Sequence, residues 1–290
     1  MAKDYRLVAP KRRLPASAAV AGLRARLGAA LSGDRGKWLL VRDADRADRG
    51  RSASRVFRIR LAGDGAVVPD FAPGQYVFLS FPGRPPLSSP RPFTVASPPS
   101  EGRWLEFWAK DSGDWSGAAK LLAAETAGPP TPVRARVVGP FGRFSYLRAP
   151  GTGRFVFLAG GMGAAPFLSM IRFMADADRE RRVLLLWGAR TREDLFALGD
   201  LEDAAARLSR FRFVPVLSHD PLWTGERGRL DGDKLDRIVS AYFGSAPADF
   251  EWNSASYWLC GPPLFRRDLK AALRLRGVHR AAIHEERFSV

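Results

Sequence analysis

The chain has almost none of the soft metal ligands. Cys260 is the one cysteine in 290 residues, and His219, His279 and His284 are the three histidines. A single thiol cannot close an internal disulfide, and it cannot hold an iron–sulfur cluster or a structural zinc. The histidines do not stand at metal-ligand spacing, so no metal site is expected. One cysteine suits a reducing compartment, which points to the cytoplasm. No run of 18 or more apolar residues occurs, so no membrane-spanning helix is expected. The first residues also lack a secretory hydrophobic segment.

Acidic residues are scarce. There are 30 of them against 46 Lys and Arg, a net charge of +16. The imbalance is concentrated in residues 1–60, which hold 16 basic and 5 acidic residues. Such a segment is attracted to anionic lipid heads or to an acidic partner. It is also what an Arg-rich solvated tail looks like. No nucleic-acid recognition motif accompanies the charge and no aromatics interleave with it, so nucleic acid is not expected.

What the chain does have is apolar residues, 46% of the total, and aromatics, 11%. That is enough to build real cores, and 290 residues is the length of two ordinary domains. Residues 1–36 read as a basic extension in which Val20, Leu23, Leu27 and Leu31 fall at helical spacing. Such a helix could lie on a membrane surface, on a partner or on the protein itself. Residues 37–150 carry six short apolar or alternating runs: Trp38–Val41, Val56–Leu61, Tyr76–Phe81, Phe93–Ala96, Leu105–Ala109 and Val133–Val138. Turn residues separate them, which predicts an antiparallel β-barrel with one helix near Ser116–Ala124.

From residue 151 to 290 the pattern alternates. Strands are predicted at Phe155–Ala159, Val183–Trp187, Phe213–Leu217, Tyr257–Leu259 and from Ala282. Helices are predicted over Ala164–Ala175, Leu195–Leu208, Lys234–Ala241 and Leu264–Arg276. This order predicts an α/β domain with an open parallel sheet covered on both faces.

Four local patterns carry chemistry. The first is Arg91-Pro92-Phe93-Thr94. An arginine grips two phosphate oxygens at once, an aromatic ring covers a flat ring system, and a hydroxyl can hydrogen-bond to it. The second runs from Lys110 to Trp115 and Ser116, where Ser116 reads as a helix N-cap whose amides suit an anion. The third is Gly160-Gly161-Met162-Gly163-Ala164-Ala165-Pro166, between a strand and a helix. Its glycines admit a phosphate to the backbone, and Pro166 stands where the usual dinucleotide fingerprint has a third glycine. No acid follows the next strand; Arg190 is there instead. The fourth is Cys260-Gly261-Pro262, at a strand end where open parallel sheets bind ligands. Each pattern alone is also what an ordinary strand, capped helix, tight turn or buried cysteine would show.

In this order and spacing, the four patterns resemble the ferredoxin–NADP reductase superfamily over about residues 37–290. The resemblance is nearest to its ferric-reductase or NADPH-oxidase branch. Gly113-Asp114-Trp115-Ser116, Gly139-Pro140-Phe141-Gly142 and the final Ile283-His284-Glu285-Glu286-Arg287-Phe288 carry it further. It implies a reductase that moves a hydride from NADH or NADPH to FAD and then single electrons to a separate acceptor. Arg91, Pro92, Lys110, Trp115 and Ser116 would then belong to the FAD site, with Phe93 and Phe288 against the flavin and Thr94 near its reactive nitrogen. Gly160, Gly161, Gly163, Pro166, Arg190, Gly261 and Pro262 would hold the nicotinamide nucleotide. Cys260 and Glu286 would lie beside the nicotinamide, and with Thr94 form the catalytic group. The implied acceptors are a membrane cytochrome, an iron–sulfur protein, another acceptor protein or a ferric chelate. An oxygenase is a further acceptor consistent with the same module. Peripheral membrane contact through the basic start is compatible with this reading. The alternative is a non-catalytic flavin-binding or membrane-tethering module on the same fold. Asp220 after Ser218 favours NADH, whereas Arg190 and Arg192 favour NADPH.

Overall fold

A computed structural model describes residues 33–34, 38–41, 56–63, 68, 70–124, 133–149, 153–244, 246 and 248–287. The helix expected around Val20–Leu31 and the expected flavin neighbour Phe288 lie outside these residues. Among the described residues, no helix is long and apolar enough to cross a membrane. No group of three or more His, Cys, Asp or Glu that could hold a metal ion occurs among them.

The first unit is an antiparallel sheet. Its strands are β1 (Gly33–Asp34), β2 (Trp38–Val41), β3 (Val56–Gly63), β4 (Tyr76–Ser80), β5 (Arg91–Thr94), β6 (Trp104–Lys110) and β7 (Arg134–Phe141). They pair in the order β5-β4-β7-β2-β3-β6, with β1 also beside β7. Gly33 and Asp34, assigned to the extension from sequence, are therefore part of the sheet, opposite Gly139 and Val138. Alternation sets the faces. In β4, Val77 and Leu79 are buried while Tyr76 and Phe78 are half-buried. In β7, Ala135 and Val137 are buried while Arg134 and Arg136 are exposed. The inward residues join Trp38, Ile59, Leu61 and Phe107 in one core, covered by Trp115, Ala119 and Leu122 of helix α1 (Asp114–Ala124).

The expected barrel is not closed. β5 and β6 are the two ends of the sheet, and no ladder joins them among the described residues. A single backbone hydrogen bond links them beyond β5, from Ala96 N–H to the Glu106 carbonyl at 2.8 Å. The reason lies in β5 itself. It is four residues long, and Pro92 has no N–H to give a second ladder.

The second unit is a parallel sheet of β8 (Arg154–Gly160), β9 (Arg182–Ala189), β10 (Phe211–Leu217), β11 (Glu226–Arg227), β12 (Ser256–Cys260) and β13 (Ile283–Glu286). Their order is β11-β10-β9-β8-β12-β13. Helices α2 (Ala165–Ala177) and α3 (Leu198–Arg207) cover one face. Helices α4 (Gly232–Phe243) and α5 (Pro263–Leu275) cover the other. Both faces being buried explains the continuous apolar run of β8: Phe155 and Phe157 enter one core, and Val156 and Leu158 the other.

Two expected elements are corrected here. The helix expected from Leu195 begins at Leu198, because Thr191 and Asp194 form a capping box around a short 3-10 turn. The last strand, expected from Ala282, begins at Ile283 after a 3-10 turn and runs to Glu286, which places that acid opposite Cys260 in register. The two units share a hydrophobic cluster. Val56, Ala96, Trp108, Phe144, Tyr146 and Leu147 from the first pack with α2, α3 and the face of the parallel sheet they cover.

Candidate functional site

The strand order reverses between β8 and β12. Strands added after β8 proceed to one side, and the chain then returns to place β12 on the other. In a parallel open sheet, the crevice outside the carboxyl ends at such a point is where ligands bind. Gly160-Gly161 and Cys260-Gly261 are the residues at those two ends.

The two turns touch through their backbones. A side-chain Cβ at Gly163 would lie 2.2 Å from the Cys260 carbonyl oxygen and 2.8 Å from the Gly261 nitrogen. One at Gly160 would lie 2.9 Å from Pro262 Cδ. Gly161 differs, with a φ of +54° and open space where a Cβ would stand. Gly163 is therefore demanded by packing, whereas Gly161 leaves the backbone open to a ligand. Trp187 of β9 is buried beneath the turn and donates its indole N–H to the Gly161 carbonyl at 2.9 Å. Pro166 is buried in the first turn of α2, where its missing N–H costs nothing.

The facing surface comes from the antiparallel sheet. Tyr76 pairs with Thr94 and Phe78 with Pro92, so these four share the outward face of β4 and β5. Phe141 joins them, its ring centroid 5.9 Å from Tyr76 and 5.7 Å from Phe78. Thr94 is 8% exposed, and its hydroxyl has no hydrogen-bond partner among the described residues. Arg91 and Phe93 point to the other face. The Phe93 ring packs 5.1 Å from Trp115 and 6.1 Å from Phe107, so it belongs to the core side and not to the face that Thr94 shares. Arg91, on the same side as Phe93, is exposed and has no side-chain partner among the described residues.

Ser116 is not the N-cap expected from sequence. Helix α1 begins two residues earlier, at Asp114, and Ser116 sits in its first turn. Its Oγ accepts the N–H groups of Ser112 at 2.9 Å and Gly113 at 3.0 Å, so it braces the loop before the helix. Asp114 satisfies the positive helix start with its own charge. Lys110 is held by Asp194 at 2.7 Å across the two units. Arg190 is exposed at the end of β9. Arg192 grips Asp220 with two hydrogen bonds of 2.7 and 3.1 Å, which holds the Asp220 carboxyl down to about 2. The repulsion expected from Asp220 is thus largely cancelled by Arg192.

The crevice and the aromatic face meet at Glu286. A Cβ on Gly142 would stand 3.9 Å from Glu286 Oε2 and 3.2 Å from the Tyr76 ring. Burial pushes the Glu286 carboxyl above its usual range. Burial also pushes the Cys260 thiol strongly upward, reinforced by the Glu286 charge. Cys260 is therefore a neutral, compact thiol and not a nucleophilic thiolate. Glu286 also lines a cleft of ≈ 400 Å³, together with Arg143, Ser145, Arg148, Trp258 and His284. Phe141 stands in the Gly139–Gly142 motif without an assigned role, and the sequence patterns missed Tyr76, Phe78 and Trp187. Their signal was weak, since each stands in a strand apolar on both faces or lies under a turn.

Residues 157–271 match the family model described as Oxidoreductase NAD-binding domain. The reductase component of a phenol 2-monooxygenase from Pseudomonas sp. (strain CF600) is 32% identical over 199 residues, covering 67% of this chain and 50% of that protein. The electron transfer component of a xylene/toluene monooxygenase from Pseudomonas putida is 32% identical over 234 residues, covering 77% and 60%. The crystal structure of an Amycolatopsis cytochrome P450 reductase aligns with a TM-score of 0.66 and 27% identity, over 89% of this chain and 70% of that one. The chain belongs to the ferredoxin–NADP reductase superfamily. Another superfamily structure, a ferredoxin NADP+ reductase from Neisseria gonorrhoeae with bound FAD and NADP, shares the fold at a TM-score of 0.64 and 20% identity, over 86% of this chain and 97% of that one. These two sequence relatives are monooxygenase components by name, so the likenesses establish the superfamily and not its ferric-reductase branch. The chain spans about half to three-fifths of the length of these two relatives.

Proposed function

We propose that this member of the superfamily moves a hydride from NADH or NADPH to FAD, and then passes single electrons to a separate oxygenase component. The observation that carries the reading is the meeting of two surfaces at Glu286. The crevice of the parallel sheet abuts an outward aromatic face bearing a hydroxyl that has no partner among the described residues. A flat ring system needs apolar walls, a hydrogen-bonding group at its reactive edge and a cation for its phosphates.

The residues fit FAD on those terms. Tyr76, Phe78, Pro92 and Phe141 offer a half-exposed apolar wall. Among the described residues, Thr94 has an unpartnered hydroxyl at its edge, and Arg91 an unpartnered guanidinium on the side where Trp115 brings in the start of α1. Asp114 at that helix start argues against a second phosphate grip there, which leaves Arg91 the principal one. Bound FAD supplies the conversion of a two-electron donor into one-electron steps. The protein supplies position: Gly161 admits the nucleotide backbone, Cys260 leaves room for a flat ring beside Glu286, and the packed turns exclude water. Arg190, Arg192 and Asp220 leave both nucleotides as candidates.

The oxygenase acceptor is taken from the relatives, which are a monooxygenase reductase component and a monooxygenase electron transfer component. It replaces the membrane cytochrome that the sequence put first. A cytoplasmic setting goes with this reading. The basic start lies almost wholly outside the described residues and lends the expected membrane contact no support. The test is an anaerobic titration of the FAD-reconstituted protein with NADH and with NADPH, following the visible flavin band. Bleaching is expected, and the ratio of rates gives the preferred nucleotide. A protein that holds FAD unbleached by either would be a non-catalytic flavin-binding module instead.

A further inference from the structure

A cluster of buried charge lies away from this site, at the junction of the two units. Glu106 of β6 is fully buried. Its carboxylate accepts Arg60 Nε at 2.9 Å, Arg172 Nη1 at 2.9 Å and the Trp108 indole N–H at 3.2 Å, with Arg58 at 3.8 Å. Burial alone would raise the Glu106 carboxyl, but Arg172, Arg60 and Arg58 outweigh it and hold it low. Arg58 and Arg60 stand on β3 of the same sheet. Arg172 comes from α2 in the other unit.

Arg172 does more than pair with Glu106. It donates to the Ala96 carbonyl at 3.4 Å and lies 3.8 Å from Asp200 of α3. One turn earlier, Ser169 donates to the Ser97 carbonyl at 2.8 Å. Ala96 is tied back to the Glu106 carbonyl, and the Glu106 N–H donates to Ser97 Oγ at 3.2 Å. A buried ion pair is a weak source of net stability, since desolvation offsets most of the attraction. What charged, forked hydrogen bonds do supply is fixed geometry.

The geometry connects two parts of the proposed site. Thr94 ends β5 two residues before Ala96. The glycine turn Gly161–Ala164 leads directly into α2, which carries Ser169 and Arg172. We infer that Arg172 and Glu106 are positioning residues for hydride transfer. Their pairing sets the separation between Thr94 on the flavin side and the glycine turn on the nucleotide side. The inference rests on the reductase reading above. Arg172 is seven residues into α2, about 10 Å from its start, and a helix of that length is stiff enough to carry a shift at the latch to the turn. A 1 Å misplacement of reacting groups lowers a rate by on the order of 100-fold.

The test compares wild type with Arg172→Leu, Arg172→Lys and Ser169→Ala, each as full chain reconstituted with FAD. Stopped-flow bleaching against NADH concentration separates the limiting rate from the nucleotide Kd. Hydrogen exchange at the Ala96 amide reports the junction without turnover. Arg172→Leu is expected to slow the limiting rate about 10- to 100-fold, with both Kd values for FAD and NADH changed less than about threefold. Arg172→Lys should recover part of the rate, and Ala96 should exchange faster in both variants. Should Arg172→Leu fail to fold, Ser169→Ala and Arg172→Lys decide, with a smaller rate loss at unchanged Kd expected. An unaltered limiting rate, unaltered exchange, or a loss explained wholly by weaker binding would overturn the inference. A wild type that is not bleached would instead remove the reductase reading.

Discussion

Gly163→Ala tests the packing of the two glycine turns most directly. The added methyl would stand 2.2 Å from the Cys260 carbonyl oxygen, 2.5 Å from its carbon and 2.8 Å from the Gly261 nitrogen. Ordinary contacts at these atoms need roughly 1 Å more. All three are backbone atoms at the end of β12, so no side chain can swing aside. Overpacking a well-filled site costs about 1–3 kcal/mol, and a rigid backbone neighbour places this case near about 3 kcal/mol. At roughly 2–4 °C per kcal/mol for a chain of this size, the melting temperature should fall by about 6–12 °C. Gly161→Ala is the control. It meets nothing within 4 Å and suffers only its φ of +54°, a cost of about 1–2 kcal/mol. Differential scanning calorimetry of the two variants without nucleotide measures both. Gly163→Ala melting with wild type, or above Gly161→Ala, would refute the argument that backbone contact fixes this glycine.

Other outcomes follow from the same geometry. Arg91→Ala should weaken FAD binding about 10- to 100-fold by fluorescence titration, the loss of charge-assisted hydrogen bonds. Its melting temperature without FAD should stay at the wild-type value, because Arg91 is exposed and unpartnered among the described residues. The Cys260 thiol, buried and pushed upward, should resist alkylation at mildly alkaline pH until the protein is unfolded, as thiol-trapping mass spectrometry would show. Glu286 is raised by burial, so its contribution to stability is full below the ordinary carboxylate range and is lost as pH rises through the raised value. Glu286→Gln should therefore lose less stability than wild type between about pH 4 and neutrality, measured by urea unfolding at each pH. Asp220→Ala removes the carboxylate that the Arg192 guanidinium grips with two hydrogen bonds. The ratio of NADPH to NADH bleaching rates should rise about tenfold, as one gained ion pair to a phosphate would give.

Much of the fold was legible as periodicity. Short alternating runs before residue 150 and alternating strands and helices after it are local consequences of side-chain spacing, and the antiparallel and parallel sheets follow from them. The motif glycines were legible too, because a turn that must admit a phosphate or touch another backbone tolerates no Cβ. What spacing could not convey was which face each strand residue takes. Phe93 stands in the recognised Arg91–Thr94 pattern, yet its ring goes to the core with Phe107 and Trp115. Tyr76 and Phe78, which carry no motif, form the outward wall with Phe141 instead. That choice depends on register with β4 and β7, a property of strands far apart in sequence.

The same division holds for charge. The sequence by itself determined that the chain is basic, that it has one thiol, and that its arginine- and glycine-bearing patterns come in the order of a two-unit reductase. These are properties of composition and of neighbours along the chain. Only the tertiary structure decided that Lys110 is held by Asp194, that Arg192 is held by Asp220, and that Arg91 is exposed. Only there do Glu106 and Arg172, 66 residues apart, become one buried ion pair. Coulomb attraction and desolvation depend on distance and burial in space, and neither can be read from positions along the chain.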